Sequence, residues 1–211
     1  MSKIFVYLDL LGPMLALVFF LRKGERRSTG RYILISFLVL QLLANGLAKI
    51  FMLRHLPNNI FMYQANSFFS CVIAGLYFLQ NFKKTFTPGS FKAITIYLTI
   101  SCTLLLGIIL LEDTSYFNSL SYTFTGFTLC MLSVVYYLHN LFHVKDEDPI
   151  KTSSFWAVTA FFIYYSTSFF IFLYYSILTK LPIANFQVLW GIHNFVLFLA
   201  CLLLIKASKH P

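Results

Sequence analysis

Residues 155–178 read FWAVTAFFIYYSTSFFIFLYYSIL, an apolar run that contains no Asp, Glu, Lys or Arg. A helix needs about 20 apolar residues to cross the roughly 30 Å hydrocarbon core of a bilayer. A strand of a membrane β-barrel has only about ten residues and alternates between apolar and polar side chains. The segment therefore predicts a membrane-spanning α-helix.

Runs of the same kind recur along the chain. The predicted helices cover 4–21, 32–53, 60–82, 93–111, 120–142, 155–178 and 187–205. The chain is 59% hydrophobic and only 11% charged, whereas a soluble domain carries about 25% charged residues. We therefore predict an all-α polytopic membrane protein, a single seven-helix bundle that occupies residues 1–211.

Lysine and arginine are distributed unevenly between the two sets of loops. One side holds Arg22, Lys23, Arg26, Arg27, Arg31, Lys83, Lys84, Lys92, Lys145, Lys151, Lys206 and Lys209. The other side holds Lys3, Arg54 and Lys180, with Lys49 just inside helix 2. Because cytoplasmic loops are enriched in basic residues, we predict an N-terminus outside the cell and a C-terminus in the cytoplasm. The net charge of +9 then reflects topology, and we expect no nucleic-acid partner.

Polar side chains inside the spans are the candidates for a functional site, since a polar group in hydrocarbon is costly unless it is paired. Those predicted to bind a ligand are Asp9, Lys49, Gln64, Asn66, Tyr165, Ser168, Trp190, His193 and Asn194. Most of them lie in the outer half of their helices, so we predict a polar pocket that opens outward. Within it, Asp9 should face the interior of the bundle, with Lys49, His193 or Asn194 within hydrogen-bond reach.

Each of these residues also has a structural interpretation. Lys49 can snorkel to the outer surface without a partner, and Asp9 can lie shallow enough to be hydrated. His193 and Asn194 can hold helix 7 against a neighbouring helix by hydrogen bonds. The sequence leaves both interpretations open.

A second polar pair, His139 and Asn140, lies at the predicted cytoplasmic end of helix 5. Polar side chains at this depth are commonly hydrated at the interface. The alternative is a docking surface for a cytoplasmic partner.

The sequence carries no catalytic constellation that we recognise. A carboxylate dyad needs two acids at membrane depth, and only Asp9 is predicted there, because Glu112 and the other acidic residues fall in loops. The histidines deepest in helices, His139 and His193, belong to opposite leaflets, which argues against a shared metal or haem. We expect no enzyme activity, no cofactor and no metal.

Three short motifs carry a resemblance to a known kind of membrane domain. They are Asn59-Ile60-Phe61-Met62-Tyr63 opening helix 3, Phe155-Trp156 opening helix 6, and Leu189-Trp190-Gly191-Ile192-His193-Asn194 in helix 7. With them the chain resembles a seven-helix membrane domain of Bacteroidota, found alone or ahead of a histidine kinase. The resemblance implies a sensory or signalling module in the bacterial inner membrane. The sequence up to Pro211 contains no kinase domain. The signal is therefore expected to pass to a separate cytoplasmic protein.

The leading functional hypothesis is a small receptor-like module that binds a small molecule or lipid in the outer pocket. The alternative is a small transporter, channel or pore-forming effector, because intramembrane charges mark transport pathways as well. Transporters often contain paired repeats with broken helices. The only such break in the sequence is Gly12-Pro13 in helix 1. Oligomerisation is left open.

Overall fold

The computed structural model describes residues 7–22, 28–54, 60–112, 119–143, 148–178 and 186–210. Its α-helices are α1 (Leu8–Arg22), α2 (Thr29–Leu53), α3 (Ile60–Thr85), α4 (Pro88–Leu111), α5 (Leu120–Phe142), α6 (Ser153–Leu178) and α7 (Phe186–Lys209). A short 3-10 helix, Pro149–Lys151, precedes α6. Within these ranges there is no strand, and the predicted all-α bundle is confirmed.

Helices α2 to α7 are each long and apolar enough to cross a bilayer. The chain is therefore a multi-pass membrane protein. The 15 described residues of α1 extend about 22 Å at 1.5 Å per residue, and the predicted start of that helix at residue 4 lies outside the described residues. A seventh span formed by α1, and the orientation of the bundle, stay predictions.

The start of α4 corrects one predicted boundary. This helix begins at Pro88 rather than at residue 93, because Thr87 is its N-cap and accepts a hydrogen bond from the backbone N–H of Ser90 at 3.4 Å. Proline is favoured at the first helical position, where its missing N–H has no partner to lose. Residues 88–92, which the prediction leaves outside the helix, form its first turn.

Three other boundaries extend at least three residues further than predicted, one of them the end of α3, at Thr85 rather than at residue 82. Helix α2 begins at Thr29 rather than at residue 32, after its N-cap Ser28. Helix α7 continues to Lys209 rather than ending at residue 205, with Lys206 and Lys209 in its last turn. Cations are favourable there because they interact with the negative end of the helix dipole.

Six helices form a closed ring, in which α1, α2, α3, α5, α6 and α7 each contact the next and α7 contacts α1. Helix α4 packs outside this ring, against α3 and α5. Four buried aromatic side chains fill the interior: Phe161 lies 5.1 Å from Phe37, 5.7 Å from Tyr77 and 6.0 Å from Phe78 between ring centroids. We call these four residues the Phe161 cluster.

One end of the bundle, where α1, α3 and α7 end and α2 and α6 begin, carries most of the described lysine and arginine residues. We call it the basic end. Trp156 fixes the entry to α6 there, since its Nε1 donates to the backbone oxygen of Ile150 at 2.7 Å. The Lys206 ammonium lies 3.4 Å from the centroid of the same ring. Tryptophan in this setting is typical of a membrane interface.

Gly126 lies where α5 packs directly against the backbone of α6. A Cβ atom at this position would lie 3.0 Å from the Tyr165 carbonyl oxygen and 3.1 Å from Phe169 Cα. Small residues permit such close approach between membrane helices. Glycine is therefore needed here for packing.

We expect Gly126→Val to lower the free energy of unfolding by about 1–3 kcal/mol, the usual effect of overpacking. Gly107→Val is the matched control, because a Cβ at Gly107 meets nothing within 4 Å. Unfolding by denaturing detergent in mixed micelles measures both variants. Equal losses would contradict the direct packing of α5 on α6.

Candidate functional site

Asp9 and Lys49 form an ion pair between α1 and α2. The two side chains are 7% and 14% exposed. One turn along α2, Asn45 Nδ2 donates to the backbone oxygen of Asp9 at 3.4 Å. The prediction that Asp9 faces the interior with Lys49 within reach is confirmed, and neither a hydrated Asp9 nor an unpartnered, snorkelling Lys49 describes the structure.

A buried amide network joins α2, α3 and α5. Gln41 Nε2 donates to Ser70 Oγ at 2.8 Å and to Asn66 Oδ1 at 3.3 Å. Asn66 Nδ2 donates to Tyr122 Oη at 3.2 Å. Asn66 was among the predicted site residues, but Gln41 was not.

A signal for Gln41 is present in the sequence. Gln41, Asn45 and Lys49 recur every four residues along α2, and residues at this spacing lie on one face of a helix. The same face therefore carries the ion pair and the amide network.

Glu112 holds together the ends of three helices. Its Oε2 accepts from Gln64 Nε2 at 3.1 Å, and its Oε1 accepts from the backbone N–H of Ser121 at 3.0 Å. The sequence places Glu112 in a loop, and it does lie just past α4, yet it is only 9% exposed. Nothing in the local sequence, which is typical of a turn, indicates this burial.

His193 of α7 bonds to α6. Its Nε2 lies 3.3 Å from Tyr164 Oη, and its Nδ1 lies 3.2 Å from Ser168 Oγ. Both ring nitrogens are thus engaged with α6. His193 holds α7 against its neighbour, as the structural interpretation predicted, and α6 supplies its partners instead of Asp9.

Trp190 lies beside this histidine in an aromatic contact that reaches α3. Its ring centroid is 5.5 Å from Tyr63 and 5.7 Å from His193. Asn194 and Tyr165 are buried as well, and the Tyr165 hydroxyl makes no hydrogen bond within the described residues. The predicted ligand-binding residues thus fall into several local groups of contacts.

No known protein family, no curated protein and no solved structure matches this chain. The resemblance to the Bacteroidota domain stays a prediction. Function is therefore inferred from the arrangement of the side chains alone.

The predicted docking pair lies at the basic end of α5. The His139 ring stacks on Phe86 at 4.0 Å and on His143 at 4.3 Å between centroids. Asn140 Nδ2 donates to the backbone oxygen of Tyr136 at 3.0 Å. Both residues are half-buried and make contacts within the bundle, and their role in binding a partner stays a prediction.

Proposed function

We propose that this protein is a small membrane sensor, in which a ligand at the outer half of the bundle changes helix packing and a cytoplasmic partner detects the change. The observation that carries the proposal is the buried ion pair of Asp9 and Lys49. Two charges withdrawn from water are costly to maintain, and charged residues inside a membrane mark functional sites by default.

The contacts of α1 suggest how binding would be transmitted. This helix lies between α2 and α7 in the ring, and the ion pair ties it to α2. A charged ligand that competes for Asp9 or Lys49 would weaken this contact between α1 and α2. Helix α7 would follow any shift of α1, and its hydrogen bonds through His193 would carry the shift to α6.

The site favours a ligand that carries charge, because it must replace one member of an ion pair. Suitable classes are zwitterionic amino acids, small carboxylates, quaternary ammonium compounds and lipid headgroups. These classes share a compact charged group that Asp9 or Lys49 can bind.

We expect one of these classes to raise the melting temperature of the purified protein, since a ligand at 100 times its Kd stabilises by about 2.7 kcal/mol. Asp9→Asn should abolish the increase. Asp148→Asn is the control, because Asp148 is an exposed acid at the basic end. If no class stabilises the wild type, the ion pair is a structural cross-link and the proposal is wrong.

A second candidate function is transport, and one arrangement favours it. Gln41 and Ser70 lie on the outer side of the Phe161 cluster, and a cavity of about 750 Å³ lies on its other side at the basic end. An apolar layer between polar groups on one side and a cavity on the other would close the path through a carrier that alternates its access. Flux of a charged solute into proteoliposomes would favour this function over sensing.

A further inference from the structure

The cavity at the basic end is formed by the ends of five helices, α1, α2, α3, α6 and α7. Its volume of about 750 Å³ falls in the range of about 300–1,000 Å³ that small-molecule sites occupy. Arg31, Lys84, Lys209 and His210 line it, together with four serines. No carboxylate from the part of the chain that the structure describes lines it. The wall is therefore basic, and its available donors are chiefly the charged side chains, because Ser154 and Ser208 already donate to Thr152 Oγ1 and to the Ile205 carbonyl.

Two long helices begin at this cavity. Ser28, the N-cap of α2, and Ser153, the first residue of α6, both line it. Ser28 Oγ and Thr152 Oγ1 already accept from the backbone N–H groups of Arg31 and Phe155. The other N–H groups of each first turn have no intrahelical partner and lie at the positive end of the helix dipole. Both features favour an anion, and phosphate groups commonly bind at such positions.

Arg31 is fixed at the cavity wall. Its guanidinium donates to the backbone oxygen of Phe20 in the last turn of α1, a carbonyl without an intrahelical partner. This contact positions a planar group with five N–H donors, whose geometry matches a phosphate.

Gln80 adds an acceptor to the same wall. Its Oε1 is buried and makes no hydrogen bond among the described residues. A buried acceptor without a donor is costly. A ligand hydroxyl or a protonated phosphate oxygen would supply that donor once the Gln80 side chain rotates to expose the oxygen to the cavity.

We propose that this cavity binds a phosphate monoester, with the phosphate held by Arg31, Lys84 and the N-termini of α2 and α6. The ligand is a lipid headgroup or a soluble phosphorylated molecule, since both present the same group at the predicted cytoplasmic face. The proposal does not depend on the outer ion pair.

The bias of basic residues toward one membrane face is the competing explanation for the charge here. Lys83 separates the two explanations. It neighbours Lys84 on α3 and is likewise exposed to solvent, but it does not line the cavity. If topology alone explains the charge, substituting either lysine should change phosphate binding equally. If the cavity is a binding site, only the substitution of Lys84 should weaken binding.

The test uses the full chain in detergent micelles, with phosphorylated probes and their unphosphorylated counterparts. Glycerol 3-phosphate is compared with glycerol, and phosphatidic acid with diacylglycerol. We expect the phosphorylated member of at least one pair to raise the melting temperature. An increase with glycerol 3-phosphate indicates a soluble ligand, and an increase with phosphatidic acid alone indicates a lipid headgroup. No increase with either probe would overturn the proposal.

Matched variants place the binding in the cavity. Lys84→Gln should weaken binding about tenfold, the effect of losing 1.4 kcal/mol, and Lys83→Gln should leave it unchanged. Gly30→Phe should fill the cavity and abolish binding. Gly30→Ala should retain it, because an added Cβ would make ordinary contacts at 3.5 Å with Gln80 and Tyr77.

The lysine pair decides the matter even if Gly30→Phe fails to fold. Equal weakening by Lys84→Gln and Lys83→Gln would mean a non-specific charge effect and would overturn the proposal. Binding by a folded Gly30→Phe as tight as by Gly30→Ala would also overturn it. Asp9→Asn should keep phosphate binding, so that failure at the outer ion pair and failure at this cavity are distinguishable.

Discussion

Asp9→Ala should lower the free energy of unfolding by about 3–5 kcal/mol, the usual effect of removing one member of a buried ion pair. The loss is large because the substitution removes the counter-charge of an ammonium group that is only 14% exposed. Unfolding by denaturing detergent in mixed micelles, with helicity followed by circular dichroism, measures it.

The double variant Asp9→Ala with Lys49→Met should recover part of this loss. Methionine keeps an apolar stem of similar length without the charge, so that no uncompensated ammonium is left between α1 and α2. Lys49→Met alone completes the double-mutant cycle, in which residues in contact couple by about 0.5–3 kcal/mol. Strictly additive losses would show that the two charges act independently, contrary to the structure.

Glu112→Ala should lower the free energy of unfolding by about 3 kcal/mol or more. The substitution removes the acceptor for Gln64 Nε2 and for the backbone N–H of Ser121. A hydrogen bond to a charged group contributes about 1.5–3 kcal/mol, and a buried donor left without an acceptor adds to the loss. The same unfolding assay measures the effect.

Two controls define what Glu112 contributes. Glu112→Gln keeps one side-chain oxygen as an acceptor and should lose less than the alanine variant. Asp148 makes a comparable hydrogen bond, to the backbone N–H of Ile150 at 3.1 Å, but it is exposed. Asp148→Ala should therefore cost only about 1 kcal/mol. A loss at Glu112 no greater than the loss at Asp148 would mean that the Glu112 carboxylate is hydrated.

The helices could be predicted from the sequence because each is a long apolar run between charged loops, a pattern that no other fold satisfies. The pairing of Asp9 with Lys49 followed from depth, since two opposite charges at one level on consecutive helices have few other partners. The start of α4 at Pro88 was missed because Thr87 and Pro88 are equally typical of a turn and of a helix N-terminus.

Contacts between helices that are distant in sequence could not be predicted. Nothing in the hydrophobic pattern indicates that α3 packs on α5 as well as on α4, and the partners of Asn66 and Glu112 depend on this packing. His193, by contrast, bonds to α6, the helix that precedes its own in the sequence, as the structural interpretation predicted. The basic cavity was missed because its wall combines helix ends from both termini of the chain, each of which is an ordinary charged loop by itself.

The position of α4 outside the ring has a consequence for biosynthesis. The mean hydropathy of α4 is 2.4, whereas that of α3 and of α5 is 1.2. An apolar helix of this kind partitions into lipid by itself, and helices with polar side chains depend more on neighbours. Ser67 of α3 bonds to Thr125 of α5 at 2.9 Å, so α3 completes its contacts only after α5 has been synthesised. We therefore expect α4 to leave the insertion machinery early. Helix α3 should stay beside that machinery until α5 emerges, and should then pair with α5.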